Sequence, residues 1–179
     1  MKTIVTGQPR SGTSLTMMIL DKGGVTAEHN PTINDKLNPY GSFETNKKVS
    51  DVADGKSVKC LNPHQLFDVP EGAYKVIMPV RNPEQIILSR WAAFKVKNPP
   101  KNIALQIENI EKQYRFLRFI ANARPDMDLL EIPYDDYFAK TDETVANIAE
   151  FLAVDTFDEV AAKAAVDAEL FKVRELPVT

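Results

Sequence analysis

Near the amino terminus, Thr3-Ile4-Val5-Thr6-Gly7-Gln8-Pro9-Arg10-Ser11-Gly12-Thr13-Ser14 leads from a β-branched apolar stretch into a glycine-containing turn and then to Leu15, Met17, Met18, Ile19 and Leu20. That order reads as a strand, a tight loop and the start of a helix. Gly7 and Gly12 have four residues between them, the spacing of loops whose backbone N–H groups, with the positive end of the next helix, bind phosphate oxygens. Thr13 occupies the place where an ATPase or kinase loop carries the lysine that reaches the β- and γ-phosphates. The nearest cation is Arg10, inside the loop, whose guanidinium can pair bidentately with a phosphate or sulfate group. The hydroxyls of Ser11, Thr13 and Ser14 can supplement the amides. A cradle for an anionic group is present, and the nucleotidase lysine is not.

A second junction of the same kind follows. Tyr74-Lys75-Val76-Ile77-Met78-Pro79-Val80 ends in Arg81, and Asn82-Pro83 opens a helix in which Pro83 suits the first position and Ser89 lies eight residues beyond Arg81. Shorter strands are predicted over 57–60 and 127–132, making four with those over 3–6 and 75–80. Helices are predicted over 13–22, ended by Gly23-Gly24, over 102–123, and from Thr141, which is read as that helix's cap. In the 102–123 segment, Ile103, Ile107, Ile110, Tyr114, Leu117 and Ala121 recur at steps of four and three, the stripe of a core-facing helix. Strands alternating with helices imply a three-layer α/β/α fold with a mainly parallel sheet, P-loop NTPase-like in order, and ligands at the carboxyl ends of the strands. Residues 28–54 are polar, contain Pro31, Pro39 and Gly41 and hold no sustained period, so they are read as a substrate-facing loop or lid.

The 179 residues are enough for a single domain, 1–179, and too few for two comfortable ones. A net charge of −3 without a basic block excludes a general polyanion binder, so no nucleic-acid partner is expected. The single cysteine, Cys60, excludes an internal disulfide, and no Cys/His cluster has zinc spacing. No stretch approaches the ~18 apolar residues of a membrane span, and the chain opens directly into a strand, so a soluble cytoplasmic protein is expected.

The Pro-Arg-Ser-Gly-Thr-Ser loop followed by apolar residues resembles the 5′-phosphosulfate loop of sulfotransferases that use 3′-phosphoadenosine 5′-phosphosulfate (PAPS). Arg81 with Ser89 resembles the same family's 3′-phosphate motif. The segment Glu131-Ile132-Pro133-Tyr134-Asp135-Asp136-Tyr137, with Phe151-Leu152, resembles its later strand and helix, so the likeness runs from Met1 to about Leu152. It implies a donor site formed by Gln8, Pro9, Arg10, Ser11, Gly12, Thr13, Ser14, Arg81 and Ser89. PAPS is then the donor, 3′-phosphoadenosine 5′-phosphate (PAP) the product, and no metal is needed, since a sulfuryl group carries less charge than a phosphoryl group. A small-molecule or carbohydrate acceptor with a hydroxyl or amine is implied.

Arg10 would stabilise charge on the transferring group. Asn38-Pro39-Tyr40-Gly41-Ser42-Phe43-Glu44 looks like a segment of bacterial and carbohydrate-type relatives and makes Glu44 the first candidate base. Lys59 resembles the lysine of the Lys-Thr-His element of cytosolic relatives, although Leu61 stands at the histidine position; His64 is the second candidate base and His29 a weaker one. The family's Arg-Lys-Gly segment is absent, with Lys172 and Arg174 a loose substitute, and Trp91 is read as core before adenine contact. A P-loop nucleotide kinase or NTPase, and a non-catalytic nucleotide-binding module, are the alternatives.

Overall fold

The computed structural model describes residues 1–30, 43–96 and 102–167. Among these residues five strands, β1 (Lys2–Thr6), β2 (Ala27–Glu28), β3 (Ser57–Cys60), β4 (Tyr74–Val80) and β5 (Met127–Pro133), make one sheet in the spatial order β2-β3-β1-β4-β5. Every neighbouring pair is parallel, with Val5 opposite Lys59 and Ile77, and Pro79 opposite Ile132. Seven helices accompany the strands among the described residues: α1 (Thr13–Lys22), α2 (Pro63–Phe67), α3 (Pro83–Ala93), α4 (Ile103–Ala123), α5 (Asp136–Ala139), α6 (Thr141–Leu152) and α7 (Glu159–Ala164).

The two-residue period of the strands divides the core in two. Ile4, Val58, Val76 and Met78 face Leu66 of α2, Ile86 and Ile87 of α3, and Ile110, Tyr114, Leu117 and Ile120 of α4. Val5, Ile77 and Ile132 face Leu15, Ile19 and Leu20 of α1 with Tyr137, Val145, Ile148, Leu152 and Ala162. Both faces being covered, β4 has no polar side and reads as a nearly continuous apolar run. Each fully buried Ile or Val contributes about 1.5–3 kcal/mol. Pro79, which has no N–H to give, is tolerated in this inner strand while Tyr134 N–H donates to the Val80 carbonyl at 2.7 Å just beyond it.

The route of the chain positions a crevice. From β1 it passes through α1 to β2 and β3 on one side; from β4 it passes through α3 and α4 to β5 on the other. Since α1 and α3 also cover opposite faces, the loops leaving β1 and β4 diverge from adjacent strands, the arrangement in which open α/β sheets bind ligands. Asn82 turns the end of β4 into α3 at once: its side chain accepts from Glu84 N–H at 2.8 Å, and Pro83 fills the first turn. Asn102 caps α4 in the same way through Leu105 N–H.

Three differences from the sequence reading concern local elements. The sheet has a fifth strand, β2, which at two residues is too short to show any period. Thr141 is not a cap: α5 runs almost directly into α6, Lys140 precedes the helix, and the Thr141 hydroxyl donates back to the Tyr137 carbonyl at 2.7 Å. Residues 28–54 are not irregular throughout, because Val49 and Val52 anchor a turn of 3₁₀ helix, Val49–Asp51, in the core. Residues 31–42, as well as Lys172 and Arg174, lie outside the described residues. Trp91 packs against the core face built by α3 and α4.

Candidate functional site

The loop between β1 and α1 departs from ordinary backbone geometry three times in six residues: Gly7 has φ 141°, Arg10 φ 76° and Gly12 φ 111°. A Cβ on Gly7 would come within 3.0 Å of Ser11 Oγ and 3.3 Å of the Pro79 carbonyl, and one on Gly12 within 2.8 Å of the Tyr134 ring. These two positions require glycine both for conformation and for space. Gly12 is also the N-cap of α1, so no side chain closes the helix start. The loop bonds itself through Ser11 N–H to the Gln8 carbonyl at 3.0 Å, while the N–H groups of Gly12 and Thr13 find no acceptor among the described residues. The Ser11 hydroxyl is buried beside the Tyr114 phenol and makes no hydrogen bond of acceptable geometry. Amides left free at a helix start, beside a buried hydroxyl, are groups that can donate to an anion.

The loop leaving β4 closes on the same point. Arg10 Nε donates to Ser89 Oγ of α3 at 3.2 Å, and Arg81 Nη1 donates to the Arg10 carbonyl at 3.1 Å. Arg81 is 6% exposed; its Nε donates to Gln85 Oε1 at 3.3 Å and its guanidinium stacks 4.1 Å above the Tyr134 ring. The Tyr114 hydroxyl accepts from Arg81 N–H at 3.2 Å, fixing the strand end from α4. Burial pushes the pKa of the Tyr114 and Tyr134 phenols up, so both rings are neutral neighbours of the cations.

Arg90 adds a third guanidinium. Its Nε donates to the Pro9 carbonyl at 3.3 Å and its Nη2 to Gln8 Oε1 at 2.8 Å, and burial lowers its pKa without removing its charge. Gln8 in turn donates through Nε2 to Gln113 Oε1 of α4. Neither Arg10 nor Arg90 has a carboxylate partner among the described residues; their hydrogen bonds go to a hydroxyl, a carbonyl and an amide. Cations held by neutral oxygens retain their charge for a further anion.

On the other side of the loop, Lys59 at the end of β3 reaches Ser14. Its ammonium donates to Ser14 Oγ at 2.9 Å and to Glu44 Oε1 at 2.7 Å. The lysine side chain is 4% exposed and the glutamate 39%, so a buried cation carries a half-open carboxylate at the rim of the cradle. Glu44 is fixed at its backbone as well, its carbonyl accepting from Asn30 N–H at 2.9 Å.

The structure therefore brings together Gln8, Pro9, Arg10, Ser11, Gly12, Thr13, Ser14, Arg81 and Ser89, and adds Lys59 and Glu44 through Ser14. His64 stands apart: it is exposed on α2 with its ring centroid 6.2 Å from that of Phe116, and no contact joins it to the cradle among the described residues. His29 is exposed, with its ring edge-on to Phe43. The sequence reading did not assign Arg90, Gln85, Tyr114 or Tyr134 to the site. Two of these had a signal, Gln85 lying one helical turn from Arg81 and Tyr134 standing at the carboxyl end of β5. Among the described residues no helix is long and apolar enough to cross a membrane.

Comparison with protein families shows that the model described as a sulfotransferase domain matches residues 1–179. Comparison with curated proteins finds no match.

Proposed function

The chain belongs to the sulfotransferase family, and on that premise we propose that it transfers a sulfuryl group from PAPS to a hydroxyl or amine of a small-molecule or carbohydrate acceptor. The observation that carries the donor assignment is the joining of two anion-binding loops, Arg10 Nε to Ser89 Oγ at 3.2 Å and Arg81 Nη1 to the Arg10 carbonyl at 3.1 Å. A donor with phosphate at both ends of one ribose needs two such loops side by side. The residues fit it: the Gly12 and Thr13 amides and the buried, unpartnered Ser11 hydroxyl offer donors, and glycine keeps the loop clear.

Arg10, with residues 11–14, would hold the 5′-phosphosulfate, and Arg81 with Ser89 the 3′-phosphate. When bound, the donor supplies an activated sulfuryl group on a phosphate leaving group. Arg10 and the α1 N-terminus supply fixed positive charge there, oriented before any reaction. Lys59 adds an ammonium on Ser14 and holds Glu44 in a charge-assisted bond. Glu44 is the base in this reading, a half-exposed carboxylate at the rim that takes the acceptor's proton while Lys59 steadies the charge. His64, exposed against Phe116, is the weaker candidate.

Thermal stability in the presence of PAP, ADP and ATP, with and without magnesium, tests the donor assignment. PAP at a hundredfold excess over its dissociation constant stabilises by about 2.7 kcal/mol, and the shift is expected without metal and to exceed that of ADP. A larger response to ATP with magnesium would replace this reading with a nucleotide kinase or NTPase. Glu44→Gln is expected to lower kcat about a hundredfold while leaving the PAP shift in place; an unchanged kcat removes Glu44 as the base.

A further inference from the structure

Arg90 lies one residue beyond Ser89 on α3 and grips the anion loop from outside. Its guanidinium bonds the Pro9 carbonyl at 3.3 Å and Gln8 Oε1 at 2.8 Å, and Gln8, 2% exposed, is fastened in turn to Gln113 of α4. One residue along, Arg81 holds the Arg10 carbonyl at 3.1 Å. Two successive loop carbonyls are thus each held by a guanidinium.

The consequence follows from peptide geometry. In a trans peptide the carbonyl and the N–H point to opposite sides. Fixing the Pro9 oxygen on Arg90 therefore turns the Arg10 N–H away from Arg90, and fixing the Arg10 oxygen on Arg81 directs the Ser11 N–H onto the Gln8 carbonyl at 3.0 Å. Between these two peptides sits Arg10 itself at φ 76°, a left-handed conformation that a non-glycine residue keeps only when its surroundings impose it. Arg90 supplies that restraint on the amino side of Arg10 and Arg81 supplies it on the carboxyl side. No carboxylate competes for Arg90 among the described residues.

We infer that Arg90 is a positioning residue for anion binding: it holds residues 8–11 in the strained shape that presents the cradle, acting through the Pro9 carbonyl and Gln8. This rests on the reading of the loop as the donor's phosphosulfate site, and it assigns Arg90 a role that neither the two loop motifs nor the family match provides. The competing role is a plain fastener of α3 to the loop, which would affect stability alone.

The full chain carrying Arg90→Ala, Arg90→Gln or Arg90→Lys is to be compared with the wild type in three measurements: PAP dissociation constant, donor KM against kcat, and amide hydrogen exchange of residues 8–14 without ligand. Loss of a charge-assisted contact predicts PAP binding weaker by about tenfold or more for Arg90→Ala. KM should rise by a similar factor, kcat should fall less than about twofold as expected for lost uniform binding, and exchange in residues 8–14 should quicken while that in α4 does not. Arg90→Lys should fall between Arg90→Ala and wild type in each readout, and Arg90→Gln carries the comparison if the alanine variant does not fold. A lowered melting temperature with unchanged PAP affinity and unchanged loop exchange would overturn the inference and leave the donor reading intact. If the wild type binds no PAP while Arg90→Ala still loosens residues 8–14, the donor reading falls and the loop-holding role of Arg90 stands.

Discussion

The two ends of the sheet treat positive charge in opposite ways. At the amino ends of the strands, Arg124 Nε bonds Asp126 Oδ1 at 3.0 Å, Lys75 bonds Asp128 at 2.8 Å, and the amino-terminal ammonium lies 3.2 Å from Asp54. At the carboxyl ends, Arg10, Arg81 and Arg90 are held by Ser89, the Arg10 and Pro9 carbonyls, two glutamine amides and the Tyr134 ring. Ion pairs occur there as well, Lys59 with Glu44, whose carboxylate is half-open at the rim, and Arg118 with Glu131 near the end of β5. Where charge meets charge the cations join loops, Arg124 also reaching the Pro70 carbonyl at 2.8 Å before β4. Where Arg10 and Arg90 meet only neutral oxygens among the described residues, beside Arg81, the repulsion among neighbouring guanidinia is relieved when an anion enters. The same residue type thus serves cohesion at one end and recognition at the other, and the choice of partner decides which.

The largest effect expected from this contrast comes from exchanging arginines for alanine at the two ends. Arg81→Ala should weaken PAP binding at least about a hundredfold, the scale for truncating a buried charge-assisted anion contact, and Arg10→Ala should follow it. Arg124→Ala should leave PAP affinity within about twofold and instead lower the unfolding free energy by about 1–3 kcal/mol, since it strips two carbonyls of a donor and takes the guanidinium from Asp126, which keeps the Gly72 N–H. Calorimetric titration with PAP and urea unfolding read the two quantities separately. The contrast breaks if Arg124→Ala costs as much PAP affinity as Arg81→Ala.

A smaller effect is expected from glycine. Gly12 at the carboxyl end and Gly55 in the turn before β3 both have positive φ, 111° and 78°. A Cβ at Gly55 meets nothing within 4 Å, whereas one at Gly12 meets the Tyr134 ring at 2.8 Å. Gly55→Ala should cost about 1–2 kcal/mol, the left-handed penalty alone, and leave ligand binding untouched. Gly12→Ala adds overpacking to strain and should cost about 2–4 kcal/mol. Because Tyr134 carries Arg81 on its face, this substitution should also weaken PAP binding; equal effects of the two substitutions on PAP affinity would remove Tyr134 from the site.

The sequence made the frame of the site readable because its signals are local. An apolar run ending in Arg81 and followed by Asn82-Pro83 states a strand, a strand end and a helix start within a few residues, and the Gly7 to Gly12 loop does the same for β1 and α1. Parallel pairing then requires both loops to lie at one edge of the sheet. What stayed hidden depends on distant contacts. Arg90 meets Pro9 across 81 positions, and Tyr114 meets Arg81 across 33; no period or spacing announces such pairs. Glu44 was legible as a carboxylate and not as a partner of Lys59, because the ion pair needs β3 to deliver a buried ammonium beside Ser14. Thr141 looked like a cap because its residue type favours one, yet the preceding α5 offers the Tyr137 carbonyl one turn back and the hydroxyl takes it.

The mildest and most diagnostic expectation concerns pH, where the two ends should supply the two limbs of one stability profile. At the amino end, the Arg124 guanidinium, followed by Gly72 N–H, holds the Asp126 carboxyl well below the usual carboxylate range. The folded state then keeps Asp126 ionised where the unfolded chain takes up a proton, so this stabilisation is complete above the unfolded value of about 3.9 and is lost as pH falls toward the folded one. At the carboxyl end, burial pushes the Cys60 thiol up to about 11. The folded state keeps this proton while the unfolded chain releases it, so here stability is full below the unfolded value of about 8.5 and declines as pH rises through the folded one. Asp126→Asn should flatten only the acid limb of urea stability against pH, and Cys60→Ala only the alkaline limb, beyond the share that buried tyrosines such as Tyr137 retain. Alkylation supplies the independent check, since only the thiolate reacts: Cys60 should resist iodoacetamide at pH 8 until the protein unfolds. Rapid labelling of the folded chain would mean that β3 opens at its carboxyl end, and Lys59, its neighbour on that strand, would then be too loosely held to fix Glu44.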